Sequence, residues 1–213
     1  MNKRFFLSLL MMCTVLSVCA QIFPTTYTVT GGSKRTGDES CAKLFDGDVH
    51  TKWCEYCSST IYVEFESKWS FIPTGYILTT GDDNAVNNYR NPQRWRLYGR
   101  LSEYDEWTEL AYVSKDESME DKNLTPYEFS LNNPYHRPYW QFKLEIYDVR
   151  SFYPDYCQLS EFQFKGYMLN DISSAIVEGI QPIYDYTGGN IQLDYTVKDA
   201  LGNTIDPFYY STS

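Results

Sequence analysis

The sequence predicts an all-β chain built as an antiparallel sandwich or barrel, and three observations carry that reading. Period-two alternation runs through residues 25–167, with almost no helical period. Strand-favouring aromatics are abundant, with 20 Tyr, 12 Phe and 5 Trp in 213 residues. Turn-forming residues separate about eight short runs, and no long amphipathic helix interrupts them.

The strands follow in order. Tyr27–Thr30 reads as a short first strand. Ile61, Val63 and Phe65 share one face of the next, with Tyr62, Glu64 and Glu66 on the other. Gly75–Thr80 is a third run. Trp95, Leu97 and Gly99 then alternate with Arg94, Arg96, Tyr98 and Arg100. Trp107–Val113 and Tyr127–Leu131 are shorter. The clearest run sets Trp140, Phe142, Leu144 and Ile146 against Tyr139, Gln141, Lys143, Glu145 and Tyr147. Gln158–Phe164 closes the set. Trp53, just ahead of the second strand, is expected in the core.

The ends of the chain differ from this body. Lys3 and Arg4, the apolar run from Phe5 to Val18, and the small-residue site ending at Ala20 read as an export signal over residues 1–20. The apolar run is too short for a typical membrane span, and no later stretch qualifies. Val18 fits a lipobox ahead of Cys19 poorly, so cleavage after Ala20 and a secreted or cell-surface location are expected. Residues 21–167 form the main domain and residues 168–175 a linker. Residues 176–213 carry a second β pattern, with Ile191, Leu193, Tyr195 and Val197 in alternation before a turn at 199–203. That segment is thin for an independent core.

The formal charge of −10 becomes −12 once Lys3 and Arg4 leave, with 16 basic residues against 28 acidic ones. Such a surface is a poor partner for nucleic acid or anionic lipid, both of which reward basic patches. Cys13 and Cys19 leave with the signal. The remaining Cys41, Cys54, Cys57 and Cys157 are even in number and, in an exported chain, read as two disulfides with the pairing open. A zinc half-site at Cys54–Cys57 would need two more soft ligands, and only His50 and His136 are available as histidines.

Two kinds of site stand out. Around Gly47, Asp46, Asp48 and Thr51 offer hard oxygen ligands at a sharp turn, as a small cation pocket requires. The long polar loop at 81–92 and the irregular stretch at 150–156 combine aromatics with hydrogen-bonding groups, as sugar recognition requires. No nucleophile elbow, His-Glu-x-x-His motif or glycine-rich phosphate loop is present, so no enzymatic activity is expected.

An ordered set of motifs then carries a resemblance: LFDGD at 44–48, TKW at 51–53, GYILTTGD at 75–82, RNPQRW at 90–95, LYG at 97–99, Trp107, and QLSEF at 158–162. The stretch from about 25 to 167 resembles the coagulation factor V/VIII type C, or discoidin-like, domain. That galactose-binding-like jelly roll includes the family-32 carbohydrate-binding modules. YTGG at 186–189 and VKDALG at 197–202 weakly resemble part of a bacterial Ig-like repeat.

The resemblance implies a structural Ca2+ held by Asp46, Asp48, Thr51 and Glu161, with a carbonyl near Lys43 or Leu44. It also implies a glycan or glycoprotein ligand on loops at one end, where Asp83, Asn88, Tyr89, Arg90, Phe152 and Tyr153 are candidates. Arg90 has a rival role, locking its own loop through Asp82 or Asp83. The function expected on this basis is a secreted, non-catalytic carbohydrate-binding module. The alternative is a protein-binding adhesion or spacer module with a surface-protein partner.

Overall fold

The computed structural model describes residues 21–22, 26–32, 36–167, 176–179, 195–198, 202 and 204. The expected signal at 1–20, the linker at 168–175 and most of the expected C-terminal unit lie outside the described residues. The strands are β1 (Gln21–Ile22), β2 (Tyr27–Gly32), β3 (Trp53–Tyr56), β4 (Ile61–Thr79), β5 (Pro92–Arg100), β6 (Thr108–Val113), β7 (Pro126–Ser130), β8 (Tyr139–Val149), β9 (Tyr156–Leu159), β10 (Glu161–Tyr167), β11 (Ile176–Glu178) and β12 (Thr196–Lys198). The one α-helical turn among the described residues, α1, covers Asn84–Asn87. All described pairings are antiparallel, as the alternation predicts.

β4 organises both layers. The first half of this 19-residue strand pairs with β2 and β8, and β8 continues to β5 and β6. Its second half pairs with β10 and β7, and β10 pairs with β1. Register breaks between Glu66 and Phe71, where the strand bends from one layer into the other. The buried Ser67 sits at that bend, its hydroxyl donating to the Trp69 carbonyl at 2.6 Å.

The core forms where the inner faces meet. Ile61, Val63 and Phe65 of β4, Trp95 and Leu97 of β5, and Phe142, Leu144 and Ile146 of β8 are all buried, as their alternation requires. Phe142 packs across the layers on Phe164 of β10 at 4.4 Å between centroids, and Phe65 on Phe162 at 5.3 Å. The buried Trp95 Nε1–H donates to the Tyr76 hydroxyl at 2.8 Å, so this aromatic pair also satisfies its polar atoms. The alternation in β8 changes phase at its start: Tyr139 is buried while Trp140 is half-buried.

Three of the expected runs divide differently. The 61–66 and 75–80 runs are one strand, and the Gln158–Phe164 run is two. Ser160, fully buried, donates its N–H to the Thr79 carbonyl at 2.8 Å and separates β9 from β10. β9 then leaves the main sheet and pairs with β3 in a small ribbon at one end. Trp53, which opens β3, is fully buried, as expected. In the C-terminal segment β11 pairs with β12, Val197 is buried, and Gly202 adopts a φ of 82° in the expected turn.

Candidate ligand end and metal turn

β3, β9, the start of β5 and the ends of β4 and β8 bring both kinds of candidate site to one end of the sandwich. The metal turn follows a 3-10 turn at Cys41–Phe45, and Gly47 takes the left-handed φ of 76° that lets the chain reverse. Asp46 Oδ1 accepts the Asp48 N–H at 3.0 Å, and Oδ2 faces Lys43 Nζ at 3.1 Å. The Thr51 hydroxyl lies 3.0 and 2.8 Å from the two Asp46 oxygens and 3.0 Å from the Asp48 carbonyl. Partial burial works against the Asp46 charge. The Asp48 N–H, the Thr51 hydroxyl and Lys43 outweigh it and hold this carboxyl below its ordinary range.

Glu161, over a hundred residues later, comes up beside this turn from the start of β10. It is almost fully buried, and its Oε1 has no hydrogen-bond partner. Burial, then the charge of Asp46 and a hydrogen bond with it, and then Asp48 push its carboxyl up to about 7; the Gly47 N–H opposes them. The Asp48 carboxylate turns away to cap the His50 N–H at 3.0 Å, leaving its carbonyl toward Thr51. Among the described residues, no three or more His, Cys, Asp and Glu side chains gather as a metal cluster. Any cation here would therefore draw on hydroxyl and main-chain oxygens as well as Asp46 and Glu161.

The expected disulfides are not formed in this structure. Cys41, Cys54, Cys57 and Cys157 all stand as buried thiols. Burial pushes the Cys57 thiol up to about 11, with Asp148 adding to it. Burial also raises the Cys157 thiol, with Cys57 and Cys54 adding to it. Cys41 stands apart, with its Sγ against the backbone of Gly32.

The two candidate loops are zipped together by their backbones. Ser151 N donates to the Tyr89 carbonyl at 2.8 Å, and Arg150 N to the Asn91 carbonyl at 3.0 Å. The loop at 81–91 is also pinned from beneath: the buried Asn84 side chain donates to the carbonyls of Glu120 at 2.9 Å and Lys122 at 3.1 Å. The two loops that carry the six candidate residues are therefore joined by backbone bonds at 89–91 and 150–151.

Their roles differ. Asp82 and Asp83 hold Lys52 at 3.0 and 2.8 Å, which ties this loop to the strand leaving the metal turn. Burial disfavours the Asp83 charge, but the pairing with Lys52 keeps this carboxyl below its ordinary range. Asp83 also accepts from Asn87 at 2.9 Å, and Asn88 donates to Asp121. Arg90 does not pair with Asp82 or Asp83. Its guanidinium lies between the rings of Tyr89 and Tyr156, at 5.5 and 5.7 Å from their centroids, with Nε 3.9 Å from Asp155.

The aromatic candidates are the accessible ones. Phe152 is 92% exposed and Tyr153 74%, with their rings edge to face at 5.2 Å. Tyr56 and Tyr156, which sequence reasoning missed, extend the surface as a second ring pair at 5.4 Å. The signal for them was the β3–β9 ribbon, which four-residue strands do not announce.

The fold is that of the discoidin-like, factor V/VIII type C jelly roll, as its likeness to solved structures shows. No family model matches the sequence, and no curated protein does. Solved structures do match. A family-32 carbohydrate-binding module of EndoD from Streptococcus pneumoniae shares 12% identity at a TM-score of 0.50, over 67% of this chain and 97% of that one. An F5/8 type C domain from Bacteroides fragilis shares 14% at 0.52, over 67% and 93%. The C-terminal domain of a chitobiase from Bacteroides fragilis shares 12% at 0.54, over 68% and 97%.

Proposed function

We propose that this chain is a secreted, non-catalytic carbohydrate-binding module that holds glycans on the loops at 81–91 and 150–156. The observation that carries the reading is the Arg90 guanidinium against the exposed rings of Tyr89 and Tyr156, with the exposed pair Phe152 and Tyr153 on the adjoining loop. Flat rings take the apolar face of a pyranose, and the guanidinium and nearby carboxylates suit its hydroxyls. A fold shared with a named carbohydrate-binding module supports this. A glycan array on the wild type, Arg90→Ala and Phe152→Ala/Tyr153→Ala tests it. The wild type should bind, and both variants should lose about tenfold or more. An array blank across neutral and acidic glycans would sink the reading.

The exposure of Phe152 favours one second reading, a protein-binding adhesion module. A partner captured through these rings with no glycan bound would favour it.

We also place a structural Ca2+ at the metal turn, held by Asp46, Thr51, the Asp48 carbonyl and Glu161. The donor set fits a hard cation, and a cation there would satisfy the orphaned Glu161 oxygen and neutralise the facing acids. Bound there, it would stabilise the turn that Lys52 links to the ligand loop. Oxidation of the four buried cysteines to two disulfides in the exported protein belongs to the same proposal.

A further inference from the structure

We propose that the opposite end of the sandwich carries a second saccharide-binding site, a cleft suited to neutral sugars. β5 begins beside the ligand loops at Pro92 and ends at Arg100, and its nine residues span roughly 30 Å. At that far end, the close of β5 and the starts of β6 and β8 leave a cavity of about 220 Å³. This is below the ~300–1,000 Å³ of drug-sized pockets and on the scale of one or two sugar rings.

The lining chemistry decides the ligand class. Arg100 and Arg137 bring guanidinium donors, Asp105 and Glu106 carboxylate acceptors, and Thr108 a hydroxyl, over a floor formed by the buried Tyr139. Two cations and two anions leave the lining without net charge, so an acidic sugar would meet Asp105 and Glu106 as well as the arginines. Sugar hydroxyls both donate and accept, and a mixed set of charged donors and acceptors satisfies vicinal pairs of them. Among the described residues, no ion pair engages either carboxylate.

The Arg100 guanidinium is held in place before any ligand arrives, and so is the backbone that carries Arg137. Arg100 Nε donates to Gln141 Oε1 at 2.9 Å and Nη1 to the Glu103 carbonyl at 3.2 Å, with the guanidinium 4.2 Å from the Trp107 ring centroid. Arg137 sits on a loop locked at both backbone groups by Asn133, each bond 2.9 Å. Preorganised groups lose little freedom on binding. Tyr104, 90% exposed, and Tyr135, 65% exposed and in contact with the Arg137 guanidinium, supply ring faces on the two loops that flank the cleft.

This site stands apart from the loop-end reading, and one experiment separates them. The full chain, Arg90→Ala/Tyr153→Ala and Glu106→Ala/Arg137→Ala are run on an array of neutral and acidic glycans. Asp105→Ala serves as a second far-end variant, and each protein is checked for an unchanged melting temperature. The expected result is a set of neutral glycans retained by the loop-end variant and weakened about tenfold or more by the far-end variants. Binding lost only in the loop-end variant overturns the second site and leaves the first. No binding by the wild type overturns both. A far-end-dependent set made up only of acidic glycans overturns the assignment to neutral sugars.

Discussion

Glu161 concentrates the chemistry of the metal turn in one side chain. It is buried, faces Asp46, and keeps one carboxylate oxygen without a partner. A cation held there at a hundredfold excess over its dissociation constant contributes about 2.7 kcal/mol, which is roughly 5–10 °C in melting temperature for a domain of this size. Millimolar Ca2+ should therefore raise the melting point and a chelator should reverse it. Glu161→Gln should abolish the response while melting no lower than wild type in chelator, because it removes the buried acid pair. A wild-type melting curve indifferent to Ca2+ would remove the ion. At this scale Asp46, Thr51 and Glu161 were legible from motif order. The partner of Asp82 and Asp83 was not: Lys52 is thirty positions away, and nothing in its local sequence distinguishes it from Arg90 as a counter-ion.

At the scale of elements, the alternation located the buried faces of β4, β5 and β8 because each half-buried strand writes its packing into every second residue. It did not reveal that 61–66 and 75–80 are one strand. Ser67–Ser70 and Pro73 interrupt the pattern where the strand changes layer and its inward face changes phase. The same bend explains Gly166, where a β-carbon would lie 2.4 Å from the Ile72 carbonyl oxygen. Gly166→Ala should cost about 1–3 kcal/mol in urea denaturation, with m unchanged, as β10 is forced off β4. An unaltered midpoint would show that the two strands have slack. Ser160 was missed as a break for a related reason: a lone serine in an apolar run does not signal a strand end until Thr79 is found to accept its N–H.

For the whole molecule, the sequence placed both candidate loops at one end through the family resemblance, and the structure supplies the reason they meet: backbone bonds from 150 and 151 to 91 and 89. The far-end cleft left no comparable trace, since Arg100 and Asp105 on one segment and Arg137 on another share no motif. The cysteines are also a whole-chain matter. A bridge from Cys157 to the 41–57 region would close a loop of about a hundred residues, worth on the order of 4–5 kcal/mol by the chain-entropy model. If the chain is exported as proposed, the protein should thus show no free thiol to an alkylating probe even when denatured, until a reductant is added. Four thiols labelled on denaturation alone would mean that the protein works reduced.

β4 has one more consequence. Because one continuous strand belongs to both layers, the sandwich has no seam along which its sheets could part and rejoin. The bend at Glu66–Phe71 couples the hydrogen bonding of β2 and β8 to that of β7 and β10. Opening either layer must strip a ladder from the same backbone that holds the other. The two ends of the molecule, ligand loops at one and arginine cleft at the other, are in that sense mounted on a single beam. A load applied at either end is borne by the whole core.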